Sequence, residues 1–123
     1  MKTTYQTGLA GEQRAEEWLV QHRGMKALER RFRTKAGEID LIMTEGNTVV
    51  FVEVKTRIRA EAGNGMLAVN PAKQRRISKA AVLYLMRNGW LSRPVRFDVV
   101  EVRPDEILHI PNAFQSEGGM FFA

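Results

Sequence analysis

The sequence predicts a mixed α/β domain of order αβββαββ. Three observations carry that expectation. Residues 38–56 are rich in β-branched and aromatic side chains and are interrupted by Gly46-Asn47. Asn70-Pro71 opens a long segment of helical period, and residues 5–22 carry a second helical stripe. A chain of 123 residues fits one domain. We assign it to residues 1–114 and expect residues 115–123, with Gly118-Gly119 and a terminal Phe121-Phe122, to be a mobile tail.

In the first segment Gly8, Gly11, Ala15, Trp18 and Leu19 project onto one helical face, with Leu9 and Val20 at its margin. Gln13, Arg14, Glu17 and Gln21 lie opposite, and Gly24 ends the helix as a C′ glycine commonly does. Residues 25–33 read as a strongly basic strand, broken by Lys35-Ala36-Gly37. Residues 38–44 and 48–56 form a hairpin whose Gly46-Asn47 suits a two-residue type II′ turn. Residues 57–70 read as a loop around Gly63, Asn64 and Gly65. Asn70 then caps a helix with proline at its first position, and Ile77, Ala80, Ala81, Tyr84 and Leu85 form its buried stripe as far as Asn88-Gly89. Residues 95–102 and a short 107–110 complete the strands.

Nineteen Lys and Arg against 14 Asp and Glu give a net charge of +5, which favours an anionic partner, nucleic acid first. A basic solvated surface is the plainer alternative. The absence of cysteine excludes disulfides, thiolate zinc sites and cysteine nucleophiles, and fits a reducing cytoplasm. No apolar run approaches the ~18–20 residues of a membrane span. Residues 1–7 lack the apolar core of a signal peptide. Two histidines with scattered Ser78, Ser92 and Ser116 argue against a hydrolase triad, and Gly63-Asn64-Gly65 lacks a Walker lysine. His22 falls on the inner side of its helix as a packed ring or dipole partner, and His109 has no ligand-type neighbour in sequence.

Register makes the hairpin informative. With Gly46 and Asn47 as turn residues, Ile39 faces Val54, Leu41 faces Val52 and Met43 faces Val50, which puts six apolar residues on one core face. On the other face Ile42 meets Phe51, Asp40 meets Glu53 and Glu38 meets Lys55. Like charges directly opposite are destabilising unless a shared proton or a cation compensates. A hard divalent ion, Mg²⁺ or Mn²⁺, is the fuller compensation, because it takes carboxylates, water and phosphate oxygens together. The plainer alternative is a wet strand face on which acids and lysine alternate. Glu12 sits inside the apolar stripe of the first helix, where a carboxylate needs a partner. Lys73 and Gln74 extend the stripe of the second helix to its N-terminal end, which favours phosphate.

Asp40 followed by Glu53-Val54-Lys55, with twelve residues between the acids, resembles the PD-(D/E)xK nuclease superfamily. The wording around it, Gly37-Glu38-Ile39-Asp40-Leu41-Ile42 and Phe51-Val52-Glu53-Val54-Lys55, looks like the small bacterial YraN family. Gly8, Gly11, Glu12, Ala15 and Leu19 match that family's opening helix, and Val69, Lys73, Gln74 and Ala80 its second. Arg96-Phe97-Asp98-Val99-Val100 and Asn112-Ala113-Phe114 match its closing signatures. Arg31 departs from the usual asparagine, Leu67 from a common acid, and Ala62 from an aromatic.

The resemblance implies a restriction-endonuclease-like αβββαβ core, a mixed central sheet flanked by helices. It implies Asp40 and Glu53 as ligands of Mg²⁺ or Mn²⁺, Lys55 as catalytic lysine, Glu12 as a helix acid near the site and Gln74 as a polar contribution from the second helix. Arg57, Arg59, Lys73, Arg75, Arg76 and Lys79 are the candidate phosphate contacts. The expected activity is metal-dependent cleavage of DNA rather than RNA, branched DNA included. The resemblance also admits a homodimer, for which the sequence offers no face. A non-catalytic nucleic-acid-binding module and a protein–protein adaptor remain the alternatives.

Overall fold

The computed structural model describes residues 4–57 and 69–115. Gly46 has φ +60 while Asn47 has no positive φ, as a type II′ turn requires, and it joins β2 (Glu38–Glu45) to β3 (Thr48–Thr56). With β1 (Lys26–Arg33), β4 (Val95–Val102) and β5 (Ile107–Phe114) they form one five-stranded sheet in the order β1-β2-β3-β4-β5. Only β3 and β4 pair in parallel. A parallel pair needs a crossover, which α2 (Pro71–Asn88) supplies. Asn70 Oδ1 accepts from Lys73 N–H at 2.8 Å to start α2, and Gly89 at φ +68 ends it.

Consecutive residues of β3 and β4 point to opposite faces, and each face has its own core. Ile42, Val49, Phe51, Phe97 and Val99 pack under Ile77, Ala80, Ala81, Tyr84 and Leu85 of α2. Leu41, Met43, Val50, Val52, Val100 and Val102 pack under Ala15 and Leu19 of α1 (Thr4–Arg23). The arrangement is a mixed sheet flanked by two helices, a restriction-endonuclease-like core. Among the described residues no helix is long and apolar enough to cross a membrane.

The hairpin register is as expected from Leu41↔Val52 to Glu45↔Thr48. Its faces differ from the expectation in two ways. The face of Ile42 and Phe51 is core rather than wet, because α2 covers it. Ile39 leaves the side of Leu41 and joins the α2 core. The change of face occurs at Asp40, beside Arg31 on β1, whose φ of +50 breaks the alternation there as well. β5 extends to Phe114 rather than stopping at 110, since Phe114 pairs with Phe97 and stacks on its ring at 5.0 Å. His22 is exposed rather than inward, with its ring stacked on Trp18 at 4.5 Å.

Gly11 sets how closely α1 approaches the end of β3. A Cβ there would lie 2.0 Å from Thr56 Oγ1. We expect Gly11→Ala to cost roughly 1–3 kcal/mol, read as a lower urea midpoint. An unchanged midpoint would mean that α1 can shift off the strand freely.

Candidate active site

The β2–β3 ladder ends at Leu41↔Val52, and the next step in the same register holds Asp40 and Glu53. Asp40 Oδ2 accepts the Val54 N–H at 2.7 Å, which fixes the carboxylate across the hairpin. Glu53 is buried at 5% exposure. Its carboxylate forms an ion pair with the Lys73 ammonium from the first turn of α2. Burial first, then the neighbouring Glu53 charge, pushes the Asp40 carboxyl up to about 8. Glu12 adds to the rise, and the Val54 N–H opposes it. At neutral pH the pair is therefore balanced by a proton on Asp40 and by the Lys73 ammonium beside Glu53.

Lys55 follows two residues along β3, half-buried. Burial lowers its pKa, and the Arg57 and Lys73 cations lower it further against the pull of Glu53 and Glu101. Glu12 is brought within electrostatic reach of Asp40, yet its own oxygens are held by Arg31, whose Nε and Nη2 donate at 2.8 and 3.1 Å. The positive φ of Arg31 lies in a region that asparagine enters more readily than arginine, so the backbone does not account for arginine at this position. Gln74 Nε2 donates to the Val69 carbonyl at 2.6 Å, so its amide braces the entry to α2.

Of the candidate phosphate contacts, Arg75, Arg76 and Lys79 are exposed on α2. Arg57, also exposed, donates to Glu101 at 3.2 Å. Lys73 is turned onto Glu53. Arg59, Leu67, Ala62, the Gly63-Asn64-Gly65 turn and the Phe121-Phe122 tail lie outside the described residues.

Two adjacent carboxyls that need a proton and a lysine to balance them, with no soft donors beside them, fit a hard divalent ion. Among the described residues no three His, Cys, Asp or Glu side chains converge as a metal-holding group. Asp40 and Glu53 would therefore hold Mg²⁺ or Mn²⁺ with water and substrate oxygens completing the shell, as magnesium prefers.

Sequence reasoning missed a second polar cluster at the other end of the sheet. Fully buried Asp98 accepts from Arg96 at 2.8 and 3.0 Å, from the Asn112 N–H at 2.9 Å, and pairs with His109 Nε2 at 2.8 Å. Burial acts against ionisation of Asp98, but these partners together hold its pKa below the ordinary range. Glu45 joins the cluster by bridging Arg23 and Arg96. Glu101, also fully buried, is matched by Arg57 and Arg103. The legible signal was two acids among the apolar residues of β4, since buried acids are almost always paired.

Residues 11–102 match the model of the Uncharacterised protein family UPF0102. A UPF0102 protein of Geobacter metallireducens is 46% identical over 112 residues, covering 88% of this chain and 91% of that one. Another, from Symbiobacterium thermophilum, is 50% identical over 97 residues, covering 79% and 81%. The solved structure of SSO0001 covers 93% of this chain and 54% of its own at 15% identity, with a TM-score of 0.43, a likeness too remote to argue from. The family match spans both acids, Lys55 and the whole of α2, and the chain belongs to the UPF0102 family.

Proposed function

We propose that this chain is a divalent-metal-dependent endonuclease that hydrolyses DNA phosphodiesters, with branched DNA among its candidate substrates. The observation that carries the reading is the desolvated Asp40–Glu53 pair, with Lys55 two residues beyond on the same strand. Mg²⁺ or Mn²⁺ would supply an activated water and neutralise charge on the phosphoryl oxygens. Asp40, fixed by the Val54 N–H, and buried Glu53 supply the anionic ligands. Lys55 steadies the charge that develops on the phosphate, an effect worth most where water is excluded. Arg57, Arg75, Arg76 and Lys79 hold the flanking backbone, which positions a strand without reading its sequence.

The Lys73–Glu53 ion pair favours a second reading, a nucleic-acid-binding module in which lysine, not metal, balances the acids. Labelled single-stranded, duplex, flap and four-way-junction DNA incubated with Mg²⁺ or Mn²⁺ separates the two. We expect cleavage by the wild type that chelation and Asp40→Asn both abolish. Salt-sensitive binding with every strand intact would instead select the binding module.

A further inference from the structure

Lys73 stands where helix electrostatics disfavour a cation. It is the third residue of α2, after Pro71 and Ala72, at the end that carries the positive pole of the helix dipole. The first turn has no acidic residue to soften that placement. Both the turn and its approach are fixed: Asn70 Oδ1 accepts the Lys73 N–H, Asn70 O accepts the Gln74 N–H at 3.0 Å, and Gln74 Nε2 holds the Val69 carbonyl. The ammonium is consequently delivered from a rigid base onto buried Glu53. Lys55 and Arg57 crowd the same space with further positive charge.

We infer that Lys73 is the resident counter-ion of the acid pair, and that a divalent ion reaches Glu53 only by displacing it. This rests on the proposed metal role of Asp40 and Glu53. The two cations compete for one carboxylate, so the free-energy cost of breaking the Lys73 pair is subtracted from the affinity of the site for metal. Burial makes that competition strong, because an ion pair is screened far less at a desolvated carboxylate than at the surface. The stem of Lys73 is flexible and its side chain 42% exposed, so the displaced ammonium has solvent to enter. Once released, it stands at the positive pole of the α2 dipole, an arrangement suited to a substrate phosphate. The site thus idles neutralised by its own lysine and takes up metal at the expense of that contact.

The test reads metal binding directly, without nucleic acid or turnover. Mn²⁺ is titrated into the full chain and free Mn²⁺ is followed by electron paramagnetic resonance. The proteins are the wild type, Lys73→Met, Lys73→Gln, Lys79→Met and Asp40→Asn, with circular dichroism melts to establish that each is folded. Lys79 is exposed on the same helix, so Lys79→Met controls for the loss of one positive charge. We expect both Lys73 variants to bind Mn²⁺ about tenfold more tightly than the wild type, Lys79→Met to stay near the wild type, and Asp40→Asn to lose the site. Asp40-dependent binding that is equal or weaker in the folded Lys73 variants would overturn the counter-ion role alone. An equal gain in Lys79→Met would overturn it too, since net charge would then explain the effect. No Asp40-dependent binding in any folded protein at millimolar Mn²⁺ would remove the metal reading as well.

Discussion

Asp40→Asn is expected to give a chain that melts above the wild type in alkaline, metal-free buffer and yet cleaves nothing. The sign follows from proton linkage. Asp40 has an ordinary value of 3.8 when unfolded and about 8 when folded, so within that window the native chain holds a proton that the unfolded chain has lost. Native stability contributed by this group is complete below the lower value. It falls as pH rises through the window and levels off once the folded carboxyl has ionised. The loss is on the order of a few kcal/mol. Asparagine keeps an oxygen for the Val54 N–H but has no proton to lose, so the gap between the two melting temperatures should widen from pH 5 to pH 9. Saturating Mg²⁺ should reverse the gap, because ligand binding stabilises the protein that retains its carboxylate. Parallel melting curves across this range would mean that Asp40 is neither desolvated nor repelled by Glu53.

Lys55→Ala should separate catalysis from binding. An ammonium that meets charge developing in the transition state contributes ~10²–10³ in rate at a water-excluded site. One phosphate contact among several changes affinity little and reduces the salt slope by about one unit at most. We therefore expect cleavage to fall by about that rate factor while duplex affinity stays within about threefold of the wild type. Single-turnover cleavage and fluorescence anisotropy at two salt concentrations check both halves. Affinity that falls as far as the rate would recast Lys55 as a strand-holding residue. Lys55→Arg, which keeps charge but not the compact ammonium, should recover binding more fully than rate.

Local chemistry made most of the elements legible. Asn70-Pro71 and Gly89 bound α2, Gly46-Asn47 set the hairpin register, and that register led to Asp40 and Glu53 just beyond the end of the ladder. Each of these depends on contacts between residues close in sequence, whose geometry a turn or a cap dictates. Which face of a strand is wet is different, because it depends on where a distant element lands. The side of Ile42 and Phe51 became core only because α2, arriving from the crossover between β3 and β4, covers it. Ile39 changed sides at Asp40, level with Arg31 of another strand, where the backbone takes a positive φ.

The charged residues divide in the same way. Composition indicated an anionic partner, and the hairpin pattern indicated an acid pair in need of a cation. The partners came from far along the chain: Arg31 for Glu12, Lys73 for Glu53, Arg57 and Arg103 for Glu101, and His109 and Arg96 for Asp98. Sequence alone determined that Glu12 and the Asp40–Glu53 pair needed partners, since burying an unpaired charge is too costly for a fold to tolerate. Only the tertiary structure decided which cation answers each acid, because ion pairing follows distance in space, and the fold sets that distance without regard to separation along the chain.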